Sequence, residues 1–302
     1  MGKKGKKAQA GKPKKLTPKD IGKRLDALAR KLEEDLKGAD LFAPMPPTED
    51  CAICLLPLPR RVDKSLYRSC CGNTICMACA DESFAAIKKQ NEKNAGKKDK
   101  PVIRYKCPFC RAPFPTSFGE VMCGLEARKL YNNHRALDFL ASIYGAGARE
   151  YGQAEDKMKA LDYCIQATEL GSPDSPENIS VFYREGILQI SKDMERAALF
   201  SKVAAIRGSV KGRQNADASE YYVFGNHELA IRHWKIAAEG GSQVSLNSLR
   251  SIYNADGKLP GKEFISKEDL DSLYRACHEA QEEVSSEERK KHWGSKDDVF
   301  KC

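Results

Sequence analysis

The sequence predicts a multidomain chain in which a small domain held by cysteine ligands precedes an all-α helix-turn-helix solenoid. Two observations predict it: eight closely spaced cysteines lie between Cys51 and Cys110, and one fourteen-residue phrase recurs in the C-terminal half. The 302 residues, 41% of them hydrophobic, suffice for about two domains with buried cores. We expect these segments: 1–17, a disordered basic tail; 18–37, an amphipathic helix; 38–50, a linker; 51–114, the cysteine domain; 115–133, a connector; 134–283, the solenoid; and 284–302, a charged C-terminal tail.

Positive charge is concentrated at the N-terminus. The formal net charge is +9, but eight lysines and no acid precede Asp20, so the remaining chain carries +1. This tail has no apolar periodicity, and we expect it to be disordered. Besides simple solvation, it has two functional interpretations: a nuclear import signal at Lys12–Lys15, or a patch for nucleic acid or anionic lipid. Nucleic-acid binding is disfavoured because no aromatic side chain interleaves with the lysines.

The expected location follows from what the sequence lacks. It has no run of about 18 apolar residues and no apolar segment behind its first lysines, which argues against membrane spans and secretion. We therefore expect an intracellular protein of the cytoplasm, with the basic tail as a route to the nucleus. Thiols stay reduced in these compartments, so clustered C-x-x-C pairs indicate metal ligands rather than disulfides.

The first amphipathic segment is expected to be a helix over 18–37. Thr17 is placed as its N-cap and Pro18 as its first residue. Five apolar residues follow at spacings of four and three: Ile21, Leu25, Leu28, Leu32 and Leu36. This spacing suits either a short coiled coil or a helix packed on a neighbouring domain. The proline-rich stretch after Gly38 cannot continue the helix and is expected to be a linker.

The cysteines are the strongest chemical signal in the chain. They are Cys51 and Cys54, the adjacent Cys70 and Cys71, Cys76 and Cys79, and Cys107 and Cys110. Four thiolates complete a tetrahedral zinc site with no open position, which is the structural rather than the catalytic arrangement. Eight ligands therefore predict two structural zinc ions.

These motifs, C-x-I-C, C-G-x-x-I-C-x-x-C and C-P-x-C-R, resemble those of the RING finger. The resemblance implies a small α+β cross-brace fold over 51–114 in which the pairs interleave. One ion would then bind Cys51, Cys54, Cys76 and Cys79, and the other Cys70, Cys71, Cys107 and Cys110. Asn73 stands where the common RING has histidine, and Cys71 matches the extra cysteine of the all-cysteine variant. Two adjacent cysteines on one ion are geometrically awkward, so Asp63 is kept as a replacement ligand.

The resemblance also implies an activity. RING ubiquitin ligases have no covalent nucleophile; they position a ubiquitin-charged conjugating enzyme. On this chain the implied contacts to that enzyme are Ile53, Pro108 and Arg111, the last because a guanidinium can donate to two carbonyls at once. Each could instead be a packing residue or a solvated charge. Phe84 is either a groove residue or part of the core, and the charged run 88–100 is expected to be a solvated loop.

A repeated phrase organises the C-terminal half. Its copies begin at Lys159, Arg196 and Leu229, 33 to 37 residues apart, and each carries two alanines seven residues apart and ends in Gly-Ser. A second phrase around Tyr144 is echoed around Tyr183. Small residues would let paired helices approach, and each glycine would end a helix. Together the phrases resemble Sel-one-like repeats, relatives of tetratricopeptide repeats, over 136–255.

Several smaller expectations complete this half of the chain. Arrays of such repeats bind protein partners on a concave face. Cys164 is expected to be a buried core residue, His227 and His233 to be structural, and Ser266 with Asp269 to start a capping helix.

The leading functional hypothesis is a RING-type ubiquitin ligase with two structural zinc ions, whose repeats recruit a protein substrate or adaptor. Its other partners would be a ubiquitin-conjugating enzyme and ubiquitin. A second hypothesis is a protein-interaction scaffold in which the zinc module is purely structural. A third, weaker one makes the basic tail and the zinc module a nucleic-acid binder.

Overall fold

The computed structural model describes residues 17–60, 64–94, 105–149, 152–255 and 257–283. Four expectations fall wholly or partly outside these residues: the basic tail up to residue 16 with its import signal, the alternative ligand Asp63, residues 95–100 of the expected loop, and the charged C-terminal tail from residue 284. Among the described helices, none is long and apolar enough to cross a membrane.

The described elements are eleven α-helices and a small antiparallel sheet. The N-terminal part contains α1 (Pro18–Lys37), β1 (Ser65–Tyr67), β2 (Thr74–Cys76) and α2 (Met77–Asn94). The helical part contains α3 (Phe118–Lys129), α4 (His134–Ala146), α5 (Lys157–Glu169), α6 (Ser175–Glu185), α7 (Met194–Ile206), α8 (Val210–Tyr222), α9 (His227–Glu239), α10 (Gln243–Tyr253) and α11 (Lys267–Glu283). In the sheet, Ser65 lies opposite Cys76 and Tyr67 opposite Thr74.

Helices α3 to α11 form a solenoid-like array in which each helix packs on the next. The repeated phrase supplies α5, α7 and α9, and its Gly-Ser ending shapes the turn that follows each of them. The three glycines have φ of 88°, 96° and 91°, a left-handed conformation in which a side chain is strained. After α7 and α9 the serine, Ser209 or Ser242, caps the next helix by accepting a backbone N–H. The mostly helical, repeating architecture predicted from the sequence is therefore confirmed.

The small residues of the phrase let the helices approach closely. Its six alanines are all at most 3% exposed: Ala160, Ala167, Ala197, Ala204, Ala230 and Ala237. A β-carbon on Gly212 of α8 would collide with Ala204 of α7, so only glycine fits there. Aromatic pairs fill the wider gaps, with ring centroids 5.7 Å apart both for Tyr144 and Tyr163 and for Tyr183 and Phe200.

Helix α1 is part of this array. Thr17 and Asp20 form a capping box, and Ile21, Leu25 and Leu32 are each at most 2% exposed. The helix packs on α5 and α7, where Arg24 pairs with Asp162 and Asp26 pairs with Arg196. Of the two interpretations of its apolar spacing, packing on a neighbouring domain is the one observed.

Residues 38–50, which we call the strap, are irregular but anchored along the array. The Arg213 guanidinium of α8 donates to the carbonyl groups of Leu41 and Ala43. The Phe42 ring lies 4.7 Å from that of His233, and Met45 and Pro46 pack against the glycines that follow α9 and α7. The expected linker is therefore a fixed connection between α1 and the cysteine domain.

Two further segments are more helical than expected. The segment 115–133, assigned as a connector, contains α3, because Ser117 caps a continuous twelve-residue helix. The run from Lys88, expected to be a loop, continues α2 as far as Asn94, since it holds no proline or glycine before Gly96. At the other end, Ser266 and Asp269 form the expected capping box of α11, and Cys164 and Cys277 are buried.

Candidate metal centre

Two of the cysteine pairs lie on turns of identical design. In the first, the Leu55 N–H donates to the Cys51 carbonyl at 2.9 Å; in the second, the Arg111 N–H donates to the Cys107 carbonyl at 3.0 Å. The donating residues have φ of 58° and 59°, unusual for residues other than glycine. Each turn thus bends its two cysteines toward one point.

The adjacent cysteines lie on a third turn with the same hydrogen bonds. The Gly72 N–H donates to the Arg68 carbonyl at 2.7 Å, and Gly72 takes the left-handed conformation with φ of 83°. In this register Cys71 occupies the place of the second cysteine of the other turns, and Arg68 occupies the place of the first. Cys70, one position earlier than Cys71, makes up for the cysteine that Arg68 replaces.

The remaining pair is placed by regular secondary structure. Cys76 ends β2, and Cys79 lies in the first turn of α2. A spacing of three residues at a helix start brings both side chains to the same side.

The eight cysteines form two tetrads. The first consists of Cys51, Cys54, Cys76 and Cys79, and the second of Cys70, Cys71, Cys107 and Cys110; within each, the sulfur atoms all lie within 4.8 Å of one another. These are the two interleaved sets expected from the sequence. Both adjacent cysteines belong to the second tetrad, despite the geometric objection to their pairing.

The sulfur spacing tests whether a zinc ion fits. A tetrahedral ion with Zn–S bonds of about 2.3 Å requires sulfur atoms about 3.8 Å apart. The separation is 3.9 Å between Cys54 and Cys76 and 3.6 Å between Cys71 and Cys107. Four thiols whose sulfur atoms lie within 4.8 Å of one another, with one pair in each tetrad at this separation, suit a thiophilic tetrahedral ion, so each tetrad could hold one.

The thiols within each tetrad differ in acidity. Burial raises the pKa of Cys51, but backbone N–H groups, including that of Cys76 at 3.3 Å, outweigh burial and lower its pKa to about 7. Cys107 behaves alike: burial raises its pKa, while backbone and thiol hydrogen bonds lower it to about 7. Burial raises the pKa of Cys76 and Cys79. Each tetrad therefore contains a thiol with a lowered pKa, Cys51 in the first and Cys107 in the second.

Arg68 distinguishes the second tetrad from the first. It is only 4% exposed, and its guanidinium lies 4.2 Å from the centroid of the Phe114 ring. Phe84 packs edge-on against Phe114 and Tyr105, with centroids 5.3 and 5.2 Å apart. Phe84 therefore lies in an aromatic cluster, as expected if it is a core residue rather than a groove residue. No motif in the sequence marks Arg68 as part of this site.

The residues implied as enzyme contacts lie on the surface of the two matching turns. Ile53, between the first two cysteines, is 40% exposed, and Pro108 and Arg111 are also exposed. Leu55, beside them in sequence, is 73% exposed. The two turns thus present apolar groups and one cation to solvent, which suits contact with a protein better than metal or substrate chemistry.

Comparisons with known proteins show similarity in structure only. No family model matches the sequence, and no curated protein matches it. A Sel1 repeat protein from Oxalobacter formigenes is 20% identical, with a TM-score of 0.46 and coverage of 67% of this chain and 75% of that one. Immunity protein Pa5087 from Pseudomonas aeruginosa is 12% identical, with a TM-score of 0.32 and coverage of 66% and 82%.

A third similar structure is c5321, a protective antigen present in uropathogenic Escherichia coli strains and displaying an SLR fold. It is 14% identical, with a TM-score of 0.33, and the match covers 62% of this chain. The match covers 53% of that protein, so this chain spans about half of its length. Sel1-repeat proteins are thus among the structures to which this chain is similar.

Proposed function

We propose that this protein binds two structural zinc ions and acts as a RING-type ubiquitin ligase. The observation that carries the proposal is the pair of interleaved cysteine tetrads whose turns expose Ile53, Pro108 and Arg111. A protein partner would be recruited by the helical array.

The zinc ions would hold the turns in place and take no part in the reaction, because four thiolates leave no open position for a substrate. The turns themselves would act by positioning. Ile53 and Pro108 would supply the apolar contact to the conjugating enzyme. Arg111, with its planar guanidinium, would donate to carbonyl groups of both the enzyme and ubiquitin and so restrict the ubiquitin thioester to a reactive geometry.

The array would take its partner on a surface that its own chain leaves open. Helix α1 covers the face formed by α5 and α7, and the strap continues along α9. Apolar side chains remain exposed at the turn after α8, where Tyr222 is 75% exposed and Val223 47% exposed. We place the partner surface at this edge of the array rather than on the covered face.

A scaffold without ligase activity is the second candidate. One observation favours it: Phe84, considered as the bulky groove residue, packs against Phe114 and Tyr105. The apolar surface of the turns would then consist of Ile53 and Leu55, which a partner other than a conjugating enzyme could also use.

The test uses purified full-length protein. Elemental analysis should find about two zinc ions per chain, and chains of ubiquitin should form with a permissive conjugating enzyme. Arg111→Ala should abolish chain formation with the zinc content unchanged, while Arg250→Ala, at an exposed arginine of α10, should leave both unchanged. Zinc-loaded protein that is inactive across a broad panel of conjugating enzymes would favour the scaffold. Salt-dependent nucleic-acid binding that is lost on deleting residues 1–19 would favour the third hypothesis.

A further inference from the structure

The loop that carries the adjacent cysteines is also the part of the cysteine domain that contacts the array. Tyr67, at the start of this loop, donates from its hydroxyl to Asn133 Oδ1 at 3.1 Å. Its ring stacks on that of Phe139 in α4, with centroids 5.3 Å apart. Both partners belong to the array. Residues 67–72, which we call the second-site loop, therefore carry two cysteines of the second tetrad and also contact the array.

Helix α3 contacts the same loop through its backbone and a guanidinium. Arg128 Nη1 donates to the Cys71 carbonyl at 3.4 Å. A β-carbon on Gly124 would lie 3.1 Å from Ser69 Cβ and 3.2 Å from the Ser69 carbonyl oxygen, a tight contact that would require the loop to shift. The loop therefore rests closely on α3 at this glycine.

The loop approaches with a glycine of its own. A β-carbon on Gly72 would lie 3.3 Å from Asn133 Nδ2 and 3.5 Å from Arg128 Cδ. Gly72 also needs its left-handed φ of 83° to place Cys71 in the tetrad. The same residue thus shapes the metal turn and permits close packing on the array.

The first tetrad is placed differently. On its side of the domain, an open cleft of about 1120 Å³ separates Cys76, Met77 and Ala78 from Val210 and Ile236 of the array. Its turn makes backbone hydrogen bonds within the cysteine domain and to the strap, where the Leu58 N–H donates to the Glu49 carbonyl at 2.7 Å. Of the two tetrads, the second is the one whose loop contacts α3 and α4 directly.

The guanidinium of Arg128 reinforces this contact. A metal ion with four thiolates carries a net charge of about −2. Arg128, from α3, donates to the Cys71 carbonyl of the second-site loop, while Arg68, within the loop, lies over the Phe114 ring of the cysteine domain. Metal binding at the second tetrad would therefore strengthen the attraction of α3 for the loop.

We propose that metal binding at the second tetrad and docking of the cysteine domain on α3 and α4 form one coupled equilibrium. The second ion orders the loop that docks on the array, and the docked array in turn slows loss of that ion. Linkage makes this coupling reciprocal. The inference rests on the zinc binding of the proposed function, and it makes the second ion a clamp that fixes the Arg111 surface relative to the array.

The test perturbs the array and measures the metal site. In zinc-loaded full-length protein, Gly124→Val adds a branched side chain against Ser69 without changing a ligand. Gly119→Val is the matched control, because it lies on α3 and the nearest atom to its β-carbon, Ser117 Oγ, is 3.9 Å away. Time-resolved alkylation of thiols, mapped by mass spectrometry, reports each tetrad separately.

We expect Gly124→Val to speed alkylation of Cys70, Cys71, Cys107 and Cys110 about tenfold. This matches the loss of metal affinity that is typical when residues around metal ligands are altered, about tenfold or more. Alkylation of the first tetrad, and of both tetrads in Gly119→Val, should match wild type. If Gly124→Val does not fold, Arg128→Ala replaces it, with Lys129→Ala as its control. Arg128→Ala should likewise speed alkylation of the second tetrad. If Gly124→Val changed the alkylation rates of both tetrads by the same factor, or changed neither, the coupling would be overturned. Wild-type protein without zinc would instead overturn the proposed function.

Discussion

The guanidinium of Arg213 in α8 donates to the main-chain carbonyl of Leu41 in the strap, with 3.2 Å between Nη1 and the oxygen. It also donates to the carbonyl groups of Ala43 and Ala205. Arg213 is only 1% exposed, so these hydrogen bonds form away from water. One buried cation thereby joins the strap to the end of α7, 172 and 8 residues away in sequence.

Replacing Arg213 should therefore detach the strap. Arg213→Ala would remove this donor from the partly buried carbonyl groups of Leu41 and Ala43, and we expect it to lower the free energy of unfolding by about 3 kcal/mol. Arg232→Ala is the control: Arg232 is exposed and stacks on Phe42, so its loss should cost about 1 kcal/mol or less. Limited proteolysis should show new cleavage within residues 38–50 in Arg213→Ala alone. An uncleaved strap in Arg213→Ala would contradict this assignment.

His233 shares this buried site, and its protonation should destabilise the fold. Burial, with the nearby charge of Arg213, lowers its pKa from 6.5 to about 4. The unfolded chain then takes up a proton below pH 6.5 that the folded chain takes up only near pH 4. Stability from His233 is therefore complete above pH 6.5 and lost between pH 6.5 and 4, by up to about 3 kcal/mol.

The surrounding groups decide how this is measured. Glu220 raises the pKa of His233, whereas Lys202 and Arg232 lower it. Asp217, whose carboxylate oxygen is 3.9 Å from His233 Nδ1, has a pKa raised by burial, so acidification favours the fold through this carboxyl. Comparing variants at His233 alone separates these opposing effects.

We expect His233→Gln to lose less stability than wild type between pH 7 and 5. His278→Gln, at an exposed histidine of α11, should follow wild type. Urea unfolding followed by the fluorescence of Trp234, in a Trp293→Phe background, gives the free energy of unfolding at each pH. Since all three proteins keep the same cysteine tetrads, acid release of metal cancels in the comparison. Parallel pH profiles for wild type and His233→Gln would refute the assignment.

The sequence predicts best what is determined locally. The capping boxes of α1 and α11 depend on residues three positions apart, and the left-handed glycines after α5, α7 and α9 each follow a repeated phrase. The cysteine pairs can be recognised for the same reason, since a C-x-x-C turn brings two sulfur atoms together by itself.

Contacts between distant segments were the part that sequence could not supply. The strap resembled a linker because its carbonyl groups find their donor in Arg213, which no spacing rule connects to Leu41 or Ala43. Binding of one ion by both Cys70 and Cys71 was in doubt because the sequence presents the two adjacent residues as a pair equivalent to the C-x-x-C pairs. The turn places Arg68 in the register of a first cysteine, and that register is visible only in backbone hydrogen bonds.

Packing of α1 on the array predicts a large effect of its central leucine. Leu25 is 1% exposed, and Leu25→Ala would leave a cavity between α1 and the array; we expect a loss of about 2–5 kcal/mol in unfolding free energy. Leu36→Ala, at a partly buried position near the helix end, should cost about 1 kcal/mol. Chemical unfolding followed by circular dichroism measures both. Similar losses for the two variants would mean that the buried apolar side chains of α1 do not hold this helix against the array.

The ligand set of the second tetrad predicts the metal content of single variants. Cys70→Ser and Cys71→Ser each leave three thiolates, so each should lower the zinc content from about two ions to about one. Cys123→Ser, at an exposed cysteine of α3 outside both tetrads, should keep two. If Cys70→Ser kept both ions, the fourth ligand would have to come from elsewhere. Loss of one ion in Asp63→Ala would then identify that ligand, since Asp63 was the alternative considered from the sequence.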